Sequence, residues 1–138
     1  MKVRFTVPGE PKGKGRPRMT KTGHTYTPQD TVLYENLVKL EYLQQCGKAK
    51  FDSKTPVDMR ITAYFAIPKS TSKSKRQAML DHKIRPIKKP DSSNILKAVE
   101  DALNGIAYAD DAQIVDTQMR RFYSNEPRVV VTLQEAYR

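Results

Sequence analysis

Val57, Met59, Ile61, Ala63, Phe65 and Ile67 occupy every second position, with Asp58, Arg60, Thr62, Tyr64 and Ala66 between them. Alternate residues of an extended chain point to opposite sides, so this segment reads as a strand with one apolar face to bury. A strand of that kind needs partner strands beside it and a layer packed on its apolar face. Lys2 to Val7 supplies a second candidate, with Val3, Phe5 and Val7 against Lys2, Arg4 and Thr6, ended by Pro8-Gly9. The basic, glycine-interrupted stretch from Lys12 to Arg18 leads into a short strand through Met19, a turn near Thr22-Gly23 and a strand end at Tyr26.

The covering layer is expected from three helices. Thr27-Pro28 reads as a helix start, with Thr27 as N-cap and Pro28 at the first helical position. Val32, Leu33, Leu37, Leu40 and Leu43 form its apolar stripe, with Val38 and Tyr42 beside it, and Gly47 marks its end. Ser74 to His82 reads as a short helix within a basic stretch. Ser92 to Leu103 reads as the third, capped by Asp91 and stopped by Asn104-Gly105. After a connection at Tyr108 to Asp111, Gln113 to Tyr123 and Arg128 to Leu133 read as two final strands joined by a turn at residues 124–127. This order implies an α+β (mixed α/β) fold, a single small domain over 1–138 with helices packed on a mixed sheet.

Lys and Arg number 25 against 15 Asp and Glu, a net charge of +10 that favours a polyanionic partner such as nucleic acid. A hydrophobic share of 38% is low enough that part of the core is expected to come from a partner subunit. Cys46 is the single cysteine, which excludes an intramolecular disulfide, and His24 and His82 stand isolated, with no zinc-ligand spacing. No apolar run is long enough to span a bilayer and no signal-peptide core is present, so a cytoplasmic protein with no membrane partner and no small-molecule cofactor is expected.

Against this basic background, carboxylates gather around the third helix. At about 100° per residue, Ile95, Leu96, Val99, Ala102 and Leu103 share the core side, while Asn94, Lys97 and Asp101 share the opposite side. Asp91 stands at the N-terminus, where free N–H groups favour negative charge. Asp110-Asp111 follows the helix after a short turn. Mg²⁺ takes oxygen ligands, commonly one or two carboxylates with phosphate and water. Asp91, Asp110 and Asp111 are therefore candidate metal ligands, and Lys97 a candidate partner for a scissile phosphate. The plainer readings are a helix cap for Asp91 and a solvated turn for Asp110-Asp111.

Two basic segments are candidate DNA contacts. In the first, Lys12, Lys14, Arg16 and Arg18 alternate with Gly and Pro, which would place cations on one face of an extended chain, with glycines allowing close approach to phosphate. The second, Lys69 to Lys89, contributes Lys69, Lys73, Lys75, Arg76, Lys88 and Lys89. The plain alternative for both is a solvated loop.

The run Lys89-Pro90-Asp91-Ser92-Ser93-Asn94-Ile95-Leu96-Lys97, continued by Asp101-Ala102-Leu103-Asn104-Gly105 and Tyr108-Ala109-Asp110-Asp111-Ala112-Gln113, resembles the RusA family of Holliday junction resolvases. Pro8-Gly9-Glu10-Pro11, Arg16-Pro17-Arg18 and Tyr26-Thr27-Pro28 are similar to that family too, so the likeness covers nearly the whole chain. It implies a homodimeric endodeoxyribonuclease of bacteria and their prophages that binds four-way junction DNA and cuts two strands symmetrically with Mg²⁺ or Mn²⁺. By the same resemblance, Asp91 takes the first catalytic position, Lys97 the catalytic lysine, and Asp110 with Asp111 the later acidic pair. One position departs: the family pattern is Pro-Asp-x-Asp-Asn, and Ser93 stands where the second aspartate belongs. That serine leaves open a junction-binding protein with impaired catalysis, and the charge alone leaves open a general nucleic-acid-binding module. Tyr26, Tyr108 and Tyr123 are the aromatics expected at the surface, too few for a stacking-based single-strand binder.

Overall fold

The computed structural model describes residues 1–15, 18–26 and 28–137, with Arg18 and Tyr26 described by their backbone. Its elements are β1 (Lys2–Pro8), β2 (Arg18–Met19), β3 (Thr25–Tyr26), α1 (Gln29–Cys46), β4 (Val57–Ala66), α2 (Lys73–Leu80), α3 (Ser92–Leu103), β5 (Ile114–Ser124) and β6 (Arg128–Glu135). Four strands form a mixed sheet in the order β1-β6-β4-β5. β1–β6 and β4–β6 run antiparallel, whereas β4 and β5 run parallel. The parallel pair exists because α2 and α3 intervene between β4 and β5, returning the chain to the starting end of the sheet. β2 and β3 form a separate two-stranded ribbon. The fold is α+β, as the order of elements implied.

Register assigns the two faces. Phe5, Val131, Ile61 and Met119 align across the four strands on the side covered by α1 and α3. Val7, Val57, Met59, Phe65, Val129 and Leu133 complete that buried face. From the helical layer, Tyr34, Val38 and Tyr42 of α1 and Ile95, Ala98, Val99, Ala102 and Leu103 of α3 meet it. Phe5 and Tyr42 pack edge to face, with ring centroids 5.3 Å apart.

Three sequence expectations are corrected. The buried stripe of α1 is Thr31, Tyr34, Val38 and Tyr42, not the leucine series. Val32, Leu33, Leu40 and Leu43 are exposed and Leu37 is half-buried. The tyrosine rings reach farther than leucine into the space above β1, and Tyr42 satisfies its hydroxyl by donating to the Ala49 carbonyl. Pro28 stands at the cap of α1, one residue before the first helical position expected for it, and Thr27 lies outside the described residues. Tyr108 and Tyr123 are buried rather than exposed. Tyr108 donates to the Glu100 carbonyl at 2.7 Å, which pins the loop after α3 onto the helix.

Candidate active site

α3 organises the acidic residues because its two ends are held differently. At the N-terminus, Asp91 Oδ1 accepts the Asn94 N–H at 3.1 Å, the N-cap arrangement expected of an aspartate there. Arg121 of β5 fixes the peptide leading into that cap, donating through Nη1 to the carbonyls of Lys88 at 2.8 Å and Pro90 at 2.7 Å. Ser93 lies exposed in the first turn of α3.

At the C-terminal end, Asp110 and Asp111 take distinct parts. Asp110 caps a short 3-10 turn at Asp111–Gln113, accepting from Ala112 N–H, while Gln113 Oε1 accepts from the N–H groups of Ala109 and Asp110. The Asp111 N–H donates to Asn104 Oδ1 at 3.2 Å, which ties the turn to the end of α3. Its carboxylate accepts no hydrogen bond among the described residues. Asp91 and Asn104 are 13 positions apart, so at 1.5 Å rise per residue the two caps of α3 are about 20 Å apart along its axis.

Lys97 lies between them and leans toward the C-terminal end. Its Nζ is 3.1 Å from Asp101 Oδ1, and this contact, reinforced by the charges of Asp111 and Glu100, holds the ammonium above its ordinary pKa. Glu100 is half-buried beside Asp111. Burial, then the Asp111 charge, pushes the Glu100 carboxyl above the usual carboxylate range. Glu100, Lys97, Asp101 and Asp111 thus form one local cluster. Among the described residues no set of three His, Cys, Asp or Glu side chains is placed to share a metal ion. Asp91, Asp110 and Asp111 do not form such a set of three.

The basic candidates separate as clearly. Lys14 Nζ lies 2.9 Å from Glu35 of α1 and 3.1 Å from Asp101 of α3. Burial works against this ammonium, yet the two carboxylates outweigh it and raise its pKa. The glycines around it have a local use. A Cβ at Gly13 would lie 2.8 Å from Pro90 Cβ and 2.9 Å from Asn94 Cβ, and one at Gly15 would lie 2.6 Å from Thr31 Oγ1. The Lys12–Gly15 chain is therefore wedged between α1 and α3, with the Lys14 N–H donating to the Asn94 carbonyl at 3.0 Å. Lys12 is exposed beside this wedge, and Arg16 lies outside the described residues. Arg18 is placed by its backbone in β2. Lys69, Lys73, Lys75, Lys88 and Lys89 are exposed, and Arg76 is half-buried against the β5–β6 turn. Lys88 Nζ lies 5.7 Å from the Phe65 ring centroid, close to the approach to Asp91.

The family model of endodeoxyribonuclease RusA matches residues 8–134. The chain belongs to the RusA family. RusA proteins are endonucleases that resolve Holliday junctions, and the matched span contains every element that builds the cluster around α3. The chain is also 39% identical to the uncharacterized protein YqaN of Bacillus subtilis (strain 168), with 96% of each chain covered. Among the described residues of this RusA-family chain, no helix is long and apolar enough to cross a membrane.

Sequence reasoning missed two residues of this region. Glu100 sits at the border between the polar and apolar sides of α3, where a helical wheel assigns no clear role. Arg121 follows Arg120 in β5, and the alternation of a strand requires one of such a pair to face the helices. That alternation was the available signal for Arg121.

Proposed function

We propose that this chain is one RusA-like domain over 1–138 that pairs with a second copy, binds four-way junction DNA and nicks it symmetrically with Mg²⁺ or Mn²⁺. The observation that carries the reading is a RusA-family chain in which exposed Lys97 and half-buried Glu100 of α3 interact with half-buried Asp111 of the following turn. Two neighbouring carboxylates that repel one another are what a divalent cation neutralises, and two protein carboxylates suffice for Mg²⁺. Asp111 and Glu100 are its first candidate holders. When bound, the cation would supply an activated water and neutralise developing charge. Lys97, oriented by Asp101, would hold the non-bridging phosphate oxygens. Asp110 serves the site by shaping the turn that presents Asp111.

Asp91 enters the same chemistry from the other copy. No trio of carboxylates that includes Asp91 gathers within one chain among the described residues, whereas an isologous pair can set one end of α3 against the opposite end of its mate. The exposed Leu33 and Leu40 of α1, with the half-buried Leu37 between them, would supply the apolar contact for such a pair, since the helical layer leaves Leu33 and Leu40 to water. Ser93 removes a carboxylate at the Asp91 end, so the native chain is expected to cut more slowly than Ser93→Asp.

The test is a synthetic mobile four-way junction beside a linear duplex, each in Mg²⁺ and in EDTA. Paired nicks on the junction alone, abolished by EDTA and faster with Ser93→Asp, support the proposal. Equal affinity for junction and duplex with no cutting by either protein would make the chain a general DNA-binding module.

A further inference from the structure

The sheet has a second face that α1 and α3 do not cover; at its β5 edge the His82 ring, 4.2 Å from that of Phe122, covers the phenyl ring and leaves it buried. Strand register builds it in rows: Arg4, Thr132, Arg60 and Gln118 in one, Thr6, Val130, Thr62 and Arg120 in the next, then Pro8, Arg128, Tyr64 and Phe122. Two rings make its platform, Tyr64 and Phe122, stacked with centroids 6.1 Å apart. Three guanidinium groups rest on them. Arg128 lies 3.9 Å from the Tyr64 centroid, and Arg85 and Arg120 lie 4.4 Å and 5.1 Å from that of Phe122.

We propose that this outer sheet face is a duplex DNA-binding surface that grips the phosphate backbone through Arg85, Arg120 and Arg128. The inference rests on the reading that the chain binds DNA, and it adds a surface remote from the α3 cluster. Stacking alone does not require three like charges together, and none of the three has a carboxylate partner within ion-pair distance among the described residues. The acids of this face, Asp58 and Asp116, share a row at its far end, where Asp58 is already bonded to Arg60 at 3.2 Å and Gln134 at 3.0 Å. The rest of the face is therefore cationic and lined by threonines that can donate to phosphate oxygen.

The arginines are also pre-ordered. Arg128 Nη1 donates to Ser124 Oγ at 3.2 Å and to the Glu126 carbonyl at 2.8 Å, and Arg85 Nε donates to the Arg121 carbonyl at 2.9 Å. Each keeps further N–H groups directed away from these contacts, and less side-chain freedom is left to lose on binding. Because the guanidinium groups cover the rings, bases cannot stack there, so the contact is with backbone and carries no sequence preference. The chain segment holding Arg85 continues round the edge of β5 to Lys88 and Asp91. The cationic path therefore leads from the outer face to the N-terminus of α3.

The experiment is equilibrium binding to a linear duplex and to a four-way junction across about 50–200 mM salt, for the native chain, Arg120→Ala, and Arg120→Ala with Arg128→Ala. Each lost phosphate contact should reduce the slope of log K against log salt by about 0.9, so the double variant should lose roughly two units of slope on both DNAs. The Arg120 side chain makes no hydrogen bond among the described residues, so the single variant keeps the test valid if the double variant is unstable. Unchanged slope and affinity in the single variant, and in the double variant where it folds, overturn the proposal, as does a native chain that binds neither DNA. Junction preference and cutting by the native chain report separately on the proposed activity, so a failed surface and a failed activity give different results.

Discussion

Lys14 Nζ lies 3.1 Å from Asp101 Oδ2, on the opposite oxygen of the carboxylate that holds Lys97. One aspartate on α3 thus orders two lysines, and Lys14 carries the link on to Glu35 of α1. The ammonium in the middle ties the two helices of the covering layer together.

Replacing it should cost stability more than DNA affinity. Lys14→Met leaves Glu35 and Asp101 partly buried without a shared cation, and should lower the unfolding free energy by about 1–3 kcal/mol. The raised Lys14 pKa gives the pH dependence. Its contribution is complete below the ordinary lysine pKa and fades as pH rises through the folded-state value, in the strongly alkaline range. At neutral pH, chemical denaturation should show the full loss, whereas Lys12→Met should leave stability unchanged and weaken DNA binding. The opposite ranking would mean that Lys14 is a free DNA contact.

Gly13 should tolerate no side chain. A methyl group there meets Pro90 and Asn94 carbon atoms at less than 3 Å, so Gly13→Ala must push the wedge away from the start of α3. A cost of about 1–3 kcal/mol is expected from such overpacking, read as a lower denaturation midpoint with unchanged m-value. Wild-type stability in that variant would show the wedge to be loosely packed.

Glu100 should report on cation binding without any nuclease assay. Its carboxyl titrates above the ordinary range, so the folded chain holds that proton more tightly than the unfolded one. Stability from this group is present at acid pH and falls as pH rises through its folded value. Glu100→Gln should therefore raise Tm at neutral pH and leave it unchanged at acid pH. Mg²⁺ should raise the Tm of the native chain more than that of the variant. Equal Mg²⁺ shifts in the two would remove Glu100 from the cation site.

Leu40 lies half-exposed at the centre of the uncovered leucine face of α1, at 51%. Leu40→Glu should weaken self-association at least about thirtyfold, as loss of a central apolar contact does, and leave the monomer fold intact. Sedimentation across a concentration series reads this directly. An unchanged dimer would place the interface elsewhere.

Much of this fold was legible in the sequence because period and punctuation agreed. The β4 alternation, the Asp91 cap and the Asn104-Gly105 stop each stand where the residues indicate. What the sequence concealed was three-dimensional. Leu33, Leu37 and Leu40 make as good an apolar stripe as Tyr34, Val38 and Tyr42, and hydropathy favours the leucines. Tyr42 is buried because Phe5 and the Ala49 carbonyl await it, which no local pattern records. The acidic residues are a similar case. Asp91 and Asp111 belong to one motif in sequence, but the charge that acts on Asp111's neighbourhood is that of Glu100, which the motif does not single out.

The most direct measurement mixes two inactive proteins. Asp91→Asn and Asp111→Asn, each built on Ser93→Asp for activity, should leave junctions intact when assayed alone. Combined and allowed to exchange subunits, they should nick, because one of the two shared sites in a mixed dimer then carries neither substitution. A mixture as inactive as its parts, from proteins that exchange subunits and whose Ser93→Asp parent cuts, would contradict a site completed by a second copy.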